Sequence, residues 1–399
     1  MSFSRSKRTQ PGLVLFALAV GGFAIGTTEF ATMSLLPYFS VGLGIDAPTA
    51  GHVISAYALG VVVGAPILAV MAARHPRWQV LVVLMGLFAL ANGLSALAPT
   101  YEWMLVFRFL SGVPHGAYFG VASLMAVSVS PPGKRVQAVS RVMLGLTVAT
   151  IIGVPMANAI GQWIGWRWGF AIVALLAMTT VLLVALHAPR DGGNPYATPL
   201  KELDALRNRR VWMMLAIGAI GFGGMFSVYS YLASTLLEVT GVGGEMIPVV
   251  LAVFGLGMTF GLTVGSWAAD KALGPATGGT ILWTIGSLAL YPFAAGHLWS
   301  IMIVVFMIGC SGALGPMLQT RLMDVAGEAQ TLAAALNHSA FNTANALGPW
   351  LAGLAIAAGY GWTSTGWVGC GLAIAGLVLW LLSLLLDRAS PHQTVQQAL

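Results

Sequence analysis

Charge is what this sequence has least of. Only 8% of its 399 residues are Asp, Glu, Lys or Arg, against roughly 25% in a soluble domain, so most of its surface is not built to face water. Cysteine is scarce as well. Cys310 and Cys370 are the two in the chain, and both fall within apolar runs. They exclude a disulfide framework, offer no metal-ligand spacing, and read as small packing residues. No Gly-x4-Gly-Lys-Ser/Thr loop is present to hold a nucleotide, which disfavours an ATP-driven pump. No Ser/His/Asp set, metal-ligand cluster or selectivity ring stands at matched depth, so the chain is expected to be neither enzyme nor channel, with no catalytic residue, metal or cofactor. The formal charge of +6 comes without a basic, aromatic-interleaved patch, and no nucleic-acid partner is expected.

What the sequence has instead is apolar length. Hydrophobic residues make up 58% of it and the mean hydropathy is +0.85. Crossing a bilayer takes about 20 apolar residues per helix. Runs of that length recur at 12–39, 48–73, 78–98, 101–129, 136–163, 166–188, 211–237, 244–270, 276–296, 298–324, 329–357 and 361–386. Backbone amides cannot stay unpaired in lipid, and the runs lack the period-2 pattern of barrel strands, so an all-α polytopic membrane protein of about twelve helices is expected. The N-terminus resembles a signal peptide, with Arg5, Lys7 and Arg8 ahead of an apolar stretch. The run to Phe39 is much longer than the roughly 7–15 residues of a cleavable core and reads as an uncleaved first helix.

Placing the N-terminus in the cytoplasm puts 16 of the 18 Lys and Arg residues on that side or at its helix ends, among them Arg74, Arg77, Lys134, Arg135, Arg141, Lys201, Lys271 and Arg321. Arg167 alone faces out, and Arg108 lies inside a run. This asymmetry predicts both termini in the cytoplasm and a cell inner (plasma) membrane location. The longest polar stretch divides the chain into a half at 1–188, a cytoplasmic linker at 189–210 and a half at 211–399. The leucines at 200, 203 and 206 suit a short amphipathic helix on the membrane surface, and a plain solvated linker fits equally. The halves look like copies. Gly60, Gly64 and Gly112 recur as Gly257, Gly261 and Gly309 at an offset of 197, and Gly153-Val154-Pro155 faces Gly348-Pro349. A parallel repeat of six-helix units suggests a transporter with its site at mid-membrane.

Several motifs carry a resemblance. They are Gly26-Thr27-Thr28-Glu29-Phe30 followed by Leu36-Pro37; Arg108-Phe109-Leu110-Ser111-Gly112 followed by Pro114-His115-Gly116-Ala117; Gly153-Val154-Pro155; and Trp166-Arg167-Trp168-Gly169-Phe170. With them the chain resembles the major facilitator superfamily along essentially its whole length. It is most similar to the twelve-helix drug:proton antiporter branch that includes bacterial arabinose/sugar-efflux and chloramphenicol-efflux groups. The resemblance implies a major-facilitator fold of two six-helix halves and export of a small molecule against protons by alternating access. It also implies a conformational motif at Arg74, Arg77, Gly153, Pro155, Asp270 and Lys271. Two features depart from the family pattern. Ala73 stands where an Asp is usual, while Asp270 keeps the acid in the second half. Val154 separates Gly153 from Pro155, and Asn158 replaces a small residue.

Of the 12 acidic residues, Glu29 alone is deep in a run. At 1.5 Å per residue it stands about 15 Å in, and Arg108 about 10 Å in from the same side. A charge at that depth costs roughly 2.5–3.5 kcal/mol on insertion scales and marks a functional site by default. Glu29 is therefore a candidate proton carrier, with Arg108 as the cation that favours its ionised form, and a static ion pair that fixes packing is the other reading. His115, two turns beyond Arg108 on one face, suits either a proton relay or a packing histidine. Candidate substrate contacts are Phe226, Tyr229, Tyr231, Gln319, Asn337, His338, Asn342 and Asn345. His338, Asn342 and Asn345 share one helix face, with Asn337 about 100° away. Amides and phenols over aromatics suit a neutral or amphipathic small molecule, and interhelical hydrogen bonding accounts for the same residues. The expected partners are that substrate, protons and the lipid bilayer, with the chain acting as a monomer. A uniporter or proton symporter of a sugar or nucleoside, with Glu29 and Arg108 structural, is the alternative.

Overall fold

A computed structural model describes residues 10–45, 47–193 and 199–388, all helix and connecting turn with no β-strand among them. Helices stand at every place where the apolar runs predict them. The first six spans are Pro11–Leu43, Ala47–Ala72, Arg77–Ala96, Tyr101–Ser128, the stretch from Arg135–Val148 through Val154–Trp163, and Trp166–His187. The next three are the stretch from Arg209–Ala216 to Leu236–Thr240, then Ile247–Lys271 and Leu273–Ala294. The tenth runs from Leu298–Cys310 to Leu314–Val325, the eleventh from Gln330–Ala355 to Ile356–Tyr360, and the twelfth is Ser364–Arg388. Arg5, Lys7, Arg8, Asp46, Asn194 and Pro195 lie outside the described residues, as do the side chains of Leu36, Pro37, Asn158, Leu200 and Arg388.

Nine of these helices are long and apolar enough to cross a membrane on composition alone, among the described residues. The fourth, ninth and eleventh fall short; the fourth and eleventh carry the polar residues of interest, Arg108, Ser111 and His115 in one, and Asn337, His338, Asn342 and Asn345 in the other. The outward faces are apolar. Phe16, Leu59, Leu175, Phe260, Phe293 and Leu385 are exposed, the arrangement lipid rewards and water does not.

The chain divides into two compact units, Met1–Leu203 with Ala334–His338, and Asp204–Ala333 with Ser339–Leu399. In the first unit the second and fourth helices touch backbone to backbone. A Cβ on Gly60 would strike the Phe109 carbonyl, one on Gly64 the Val113 carbonyl, and one on Gly112 the Tyr57 carbonyl. The eighth and tenth helices of the second unit repeat this contact for contact. Gly257 meets the Phe306 carbonyl, Gly261 that of Cys310, and Gly309 that of Phe254. Each glycine and each carbonyl it faces are offset by the same 197 positions, so the repeat legible in the sequence is a repeat of helix packing. Small residues let helices approach this closely in lipid, where van der Waals contact replaces the hydrophobic drive.

Two apolar cores fill the first unit. One gathers Leu18, Ile25, Leu81, Phe88, Phe119, Val142 and Ala177, and it is stitched by Tyr118, whose hydroxyl donates to the Leu18 carbonyl at 2.8 Å. The other gathers Leu35, Phe39, Val53, Met104, Trp166 and Phe170. Arg167 borders it, donating to the Ala98 carbonyl at 2.9 Å and lying 4.2 Å from the Trp166 ring. The fifth span is not a uniform helix. A π-helical turn, Ala149–Gly153, precedes Pro155, which has no N–H to continue the ladder. Its Gly153 faces the Thr27 side chain of the first helix.

The polar linker contributes Pro199–Glu202 and a short turn Leu203–Arg207, in which Glu202 and Ala205 are buried and Leu203 is exposed. Leu206 is half-buried. Because the glycine contacts are equivalent, Gly60→Val and Gly257→Val are expected to destabilise to a similar degree. Overpacking of this kind costs about 1–3 kcal/mol or more, and a thermal unfolding scan of the purified protein in detergent measures it.

Candidate functional site

Between the two apolar cores of the first unit lies a cluster of polar side chains built around Arg108. Its guanidinium is 1% exposed, although arginine stays charged in any protein environment. The groups that hold it are neutral. Nη1 donates to Thr28 Oγ1 at 2.9 Å and to Asn92 Oδ1 at 3.4 Å. Its carbon stands 4.5 Å from the centre of the Tyr57 ring and 5.4 Å from that of Phe170, so cation–π attraction supplements the hydrogen bonds. Nε has no hydrogen-bond partner among the described residues.

The socket is itself oriented. Asn92 Nδ2 donates to the Phe88 carbonyl at 2.9 Å, which turns Oδ1 toward Thr28 and Arg108. The Thr28 hydroxyl donates to that oxygen at 2.8 Å, leaving its lone pairs for the guanidinium. Thr28 and Asn92 are both essentially fully buried. The acid next to Thr28 is Glu29. It is half-buried and within Coulombic range of Arg108 and of the Tyr57 hydroxyl. The expected meeting of Glu29 and Arg108 therefore occurs at the level of their fields, while the hydrogen bonds of Arg108 go to Thr28 and Asn92.

Tyr57 connects the cluster to His115, its hydroxyl lying 2.8 Å from His115 Nδ1. The segment Ala334–His338 of the eleventh helix belongs to this unit. In it His338 stacks on Phe119 with ring centres 4.2 Å apart, and it lies 5.3 Å from the His115 ring. His115, Asn337 and His338 are all buried. The structure thus brings Glu29, Arg108, His115 and His338 into one neighbourhood.

The remaining candidates belong to the second unit. Phe226 packs edge-on against Phe222, which stacks on Phe341 at 4.7 Å. Tyr229 lies 4.8 Å from Phe254. Tyr231 donates to the Pro349 carbonyl at 3.1 Å and packs near Trp362, so its hydroxyl is engaged in tying the seventh helix to the eleventh. Gln319 and Asn342 are buried, and Asn345 is half-buried. The conformational motif residues separate by role. Lys271 stands 3.5 Å over the Trp267 ring beside Asp270. Arg74 and Arg77 flank the start of the third helix, where Asp191 accepts a hydrogen bond from the Arg77 backbone N–H at 3.0 Å. Arg190 lies 3.8 Å from the Trp78 ring, and Gly193, at φ +71°, passes against the Arg74 carbonyl. An acid is thus supplied to this turn by the segment after the sixth helix, although Ala73 lacks one.

Thr28, Asn92 and Tyr57 are the members of the cluster that sequence reasoning missed. Asn92 had a signal, a single amide in an otherwise apolar stretch of the third helix. Thr28 lies within Gly26-Thr27-Thr28-Glu29-Phe30, beside the more conspicuous charge of Glu29.

A family model of the Major Facilitator Superfamily matches residues 18–278 and 275–399. The chain belongs to this superfamily. It is 37% identical to the inner membrane transport protein YdhP of Escherichia coli over 379 residues, covering 95% of this chain and 97% of that one. It is 32% identical to a chloramphenicol resistance protein of Streptomyces lividans, covering 95% and 98%. The crystal structure of the E. coli fucose:proton symporter FucP matches with a TM-score of 0.72 at 14% identity, over 94% of this chain and 98% of that one, and shows the fold. As a member of the superfamily the chain is a membrane transporter and not an enzyme.

Asp191→Ala is expected to remove the carboxylate that caps the third helix, a loss of about 0.5–2 kcal/mol. Faster amide hydrogen exchange confined to residues 77–80 would register it.

Proposed function

We propose that this transporter exports a small neutral or amphipathic molecule, a drug or a sugar, in exchange for protons by alternating access, with Glu29 as the proton carrier. The observation that carries the reading is that Arg108 is anchored by neutral acceptors. A guanidinium locked bidentately to Glu29 would keep that carboxylate ionised and inert. Held instead by Thr28 and Asn92, it biases Glu29 without consuming it, and the half-buried carboxyl remains able to gain and lose a proton. The names of the relatives support the choice of cargo: a chloramphenicol resistance protein, and a probable sugar efflux transporter of Pasteurella multocida at 30% identity.

In this reading the chain sits in the inner membrane as a monomer, with both termini in the cytoplasm. Residues 1–188 and 211–399 act as its halves and 189–210 as the cytoplasmic connection. Arg74, Arg77, Gly153, Pro155, Asp270 and Lys271 serve the conformational change. Phe226, Tyr229, Gln319, Asn337, Asn342 and Asn345 contribute to binding, whereas Tyr231, already bonded to Pro349, serves mainly to hold helices together.

The test is proton release on ligand addition. Purified protein in weakly buffered detergent receives chloramphenicol, a series of monosaccharides or lipophilic cations, with Glu29→Gln alongside. Export by antiport predicts that one ligand class releases protons from the wild type and none from the variant. Binding with no proton release, equal in both proteins, would move the assignment to a uniporter in which Glu29 is structural.

A further inference from the structure

We propose that Asn92 and Thr28 form a neutral socket that sets the proton affinity of Glu29 by fixing where the Arg108 charge stands. The inference rests on Glu29 being the proton carrier and goes beyond it by assigning a role to two uncharged residues. The geometry leaves little freedom. Asn92 is pinned through its amide nitrogen to the Phe88 carbonyl, so its oxygen faces inward. Thr28 gives its only proton to that oxygen and so presents acceptor lone pairs to Arg108. With Tyr57 on one side and Phe170 on another, the guanidinium has a fixed seat whose acceptors carry no charge and do not titrate. Neither acceptor changes charge when Glu29 gains or loses its proton, so nothing in the seat itself releases Arg108 at that step. A seat built from an acid would quench the Arg108 field at Glu29. The absence of a seat would let the guanidinium close on the carboxylate, which lies within its Coulombic range.

The other ionisable groups leave this control with Arg108. Tyr57 from the second helix faces Glu29, and His115 of the fourth reaches the cluster through the Tyr57 hydroxyl. His52 pairs with Tyr101 at 2.8 Å at the outer turns of the second and fourth helices. Glu102 bonds Thr100 there, and Tyr118 is committed to the Leu18 carbonyl. The fifth and sixth helices also pack on the first; Arg135, Arg167 and His187 stand in their end turns, and Arg141, in the second turn of the fifth, is exposed. Tyr38 lies in the closing turns of the first helix itself.

The two Asn92 substitutions move Glu29 in opposite directions. Asn92→Asp places a carboxylate beside Arg108, cancels part of its field, and raises the pH at which Glu29 gives up its proton. Asn92→Ala frees Arg108 to approach Glu29 and lowers that pH. An opposite charge within contact range shifts a carboxyl by about 1–3 pH units, so a displacement of about one unit either way is expected. Thr28→Val should follow Asn92→Ala, while Thr28→Ser, which keeps the hydroxyl, should restore the wild-type value.

Infrared difference spectroscopy on full-length protein in liposomes reads this without any transported ligand. The carboxylic acid C=O band is titrated with pH, and Glu29→Gln identifies the part that belongs to Glu29. If Glu29→Gln removes no titrating band, the proton-carrier reading itself is wrong. If the band titrates and the Asn92 variants leave its midpoint in place, or displace it in the same direction, the socket is overturned while the carrier survives. Should Asn92→Asp fail to fold, Asn92→Ala and Thr28→Val decide alone: an acid displacement supports the socket, and an unmoved midpoint refutes it.

Discussion

The structure depends on how one buried positive charge is accommodated. Arg108 cannot shed its proton, and it lies where water does not reach it. Two solutions are open to such a group: a carboxylate in contact, or enough oriented dipoles and ring faces to replace hydration. The chain uses the second. Thr28, Asn92, Tyr57 and Phe170 come from the first, third, second and sixth helices, so satisfying Arg108 requires five helices of the first unit to be correctly placed at once. Hydrogen bonds to a charged donor are worth about 1.5–3 kcal/mol each. The price of leaving the Arg108 Nε unpartnered is therefore set against a cluster that also specifies the unit's packing.

This arrangement explains why the cluster lies between two apolar cores instead of at an end of the bundle. The cores around Leu81 and Phe88 on one side, and around Phe39 and Trp166 on the other, exclude water and lower the local dielectric. Interactions among Arg108, Glu29 and Tyr57 are stronger there than at a wet helix end.

Much of this was legible in the sequence, because lipid imposes simple rules. Helix places followed from apolar length, and the fold from the repeat of Gly60, Gly64 and Gly112 at a fixed offset. Glu29 and Arg108 stood out because a charge in an apolar run demands a reason. Asn92 and Thr28 did not, since amides and hydroxyls occur throughout such helices and can bond within their own helix. Only the placement of the third helix beside the first and fourth reveals which acceptor faces the arginine. For the same reason the polar set of the eleventh helix could be grouped by helix face but not divided. His338 packs with Phe119 and His115, whereas Tyr231 of the seventh helix turns out to be committed to Pro349.

The comparison of the two units separates scaffold from chemistry. At the offset of 197 that superposes the glycine contacts, Tyr57 corresponds to Phe254, Asn92 to Ala289, Arg108 to Val305 and His115 to Gly312. The backbone packing of the second and fourth helices is thus repeated in the second unit, and the polar cluster set within that packing is not. Symmetric packing cannot be what requires Arg108, because the second unit forms the same helix contacts with a valine in its place. Arg108 and the side chains that seat it are thus an addition to the shared scaffold, peculiar to the first unit, and Glu29 stands within Coulombic range of that charge.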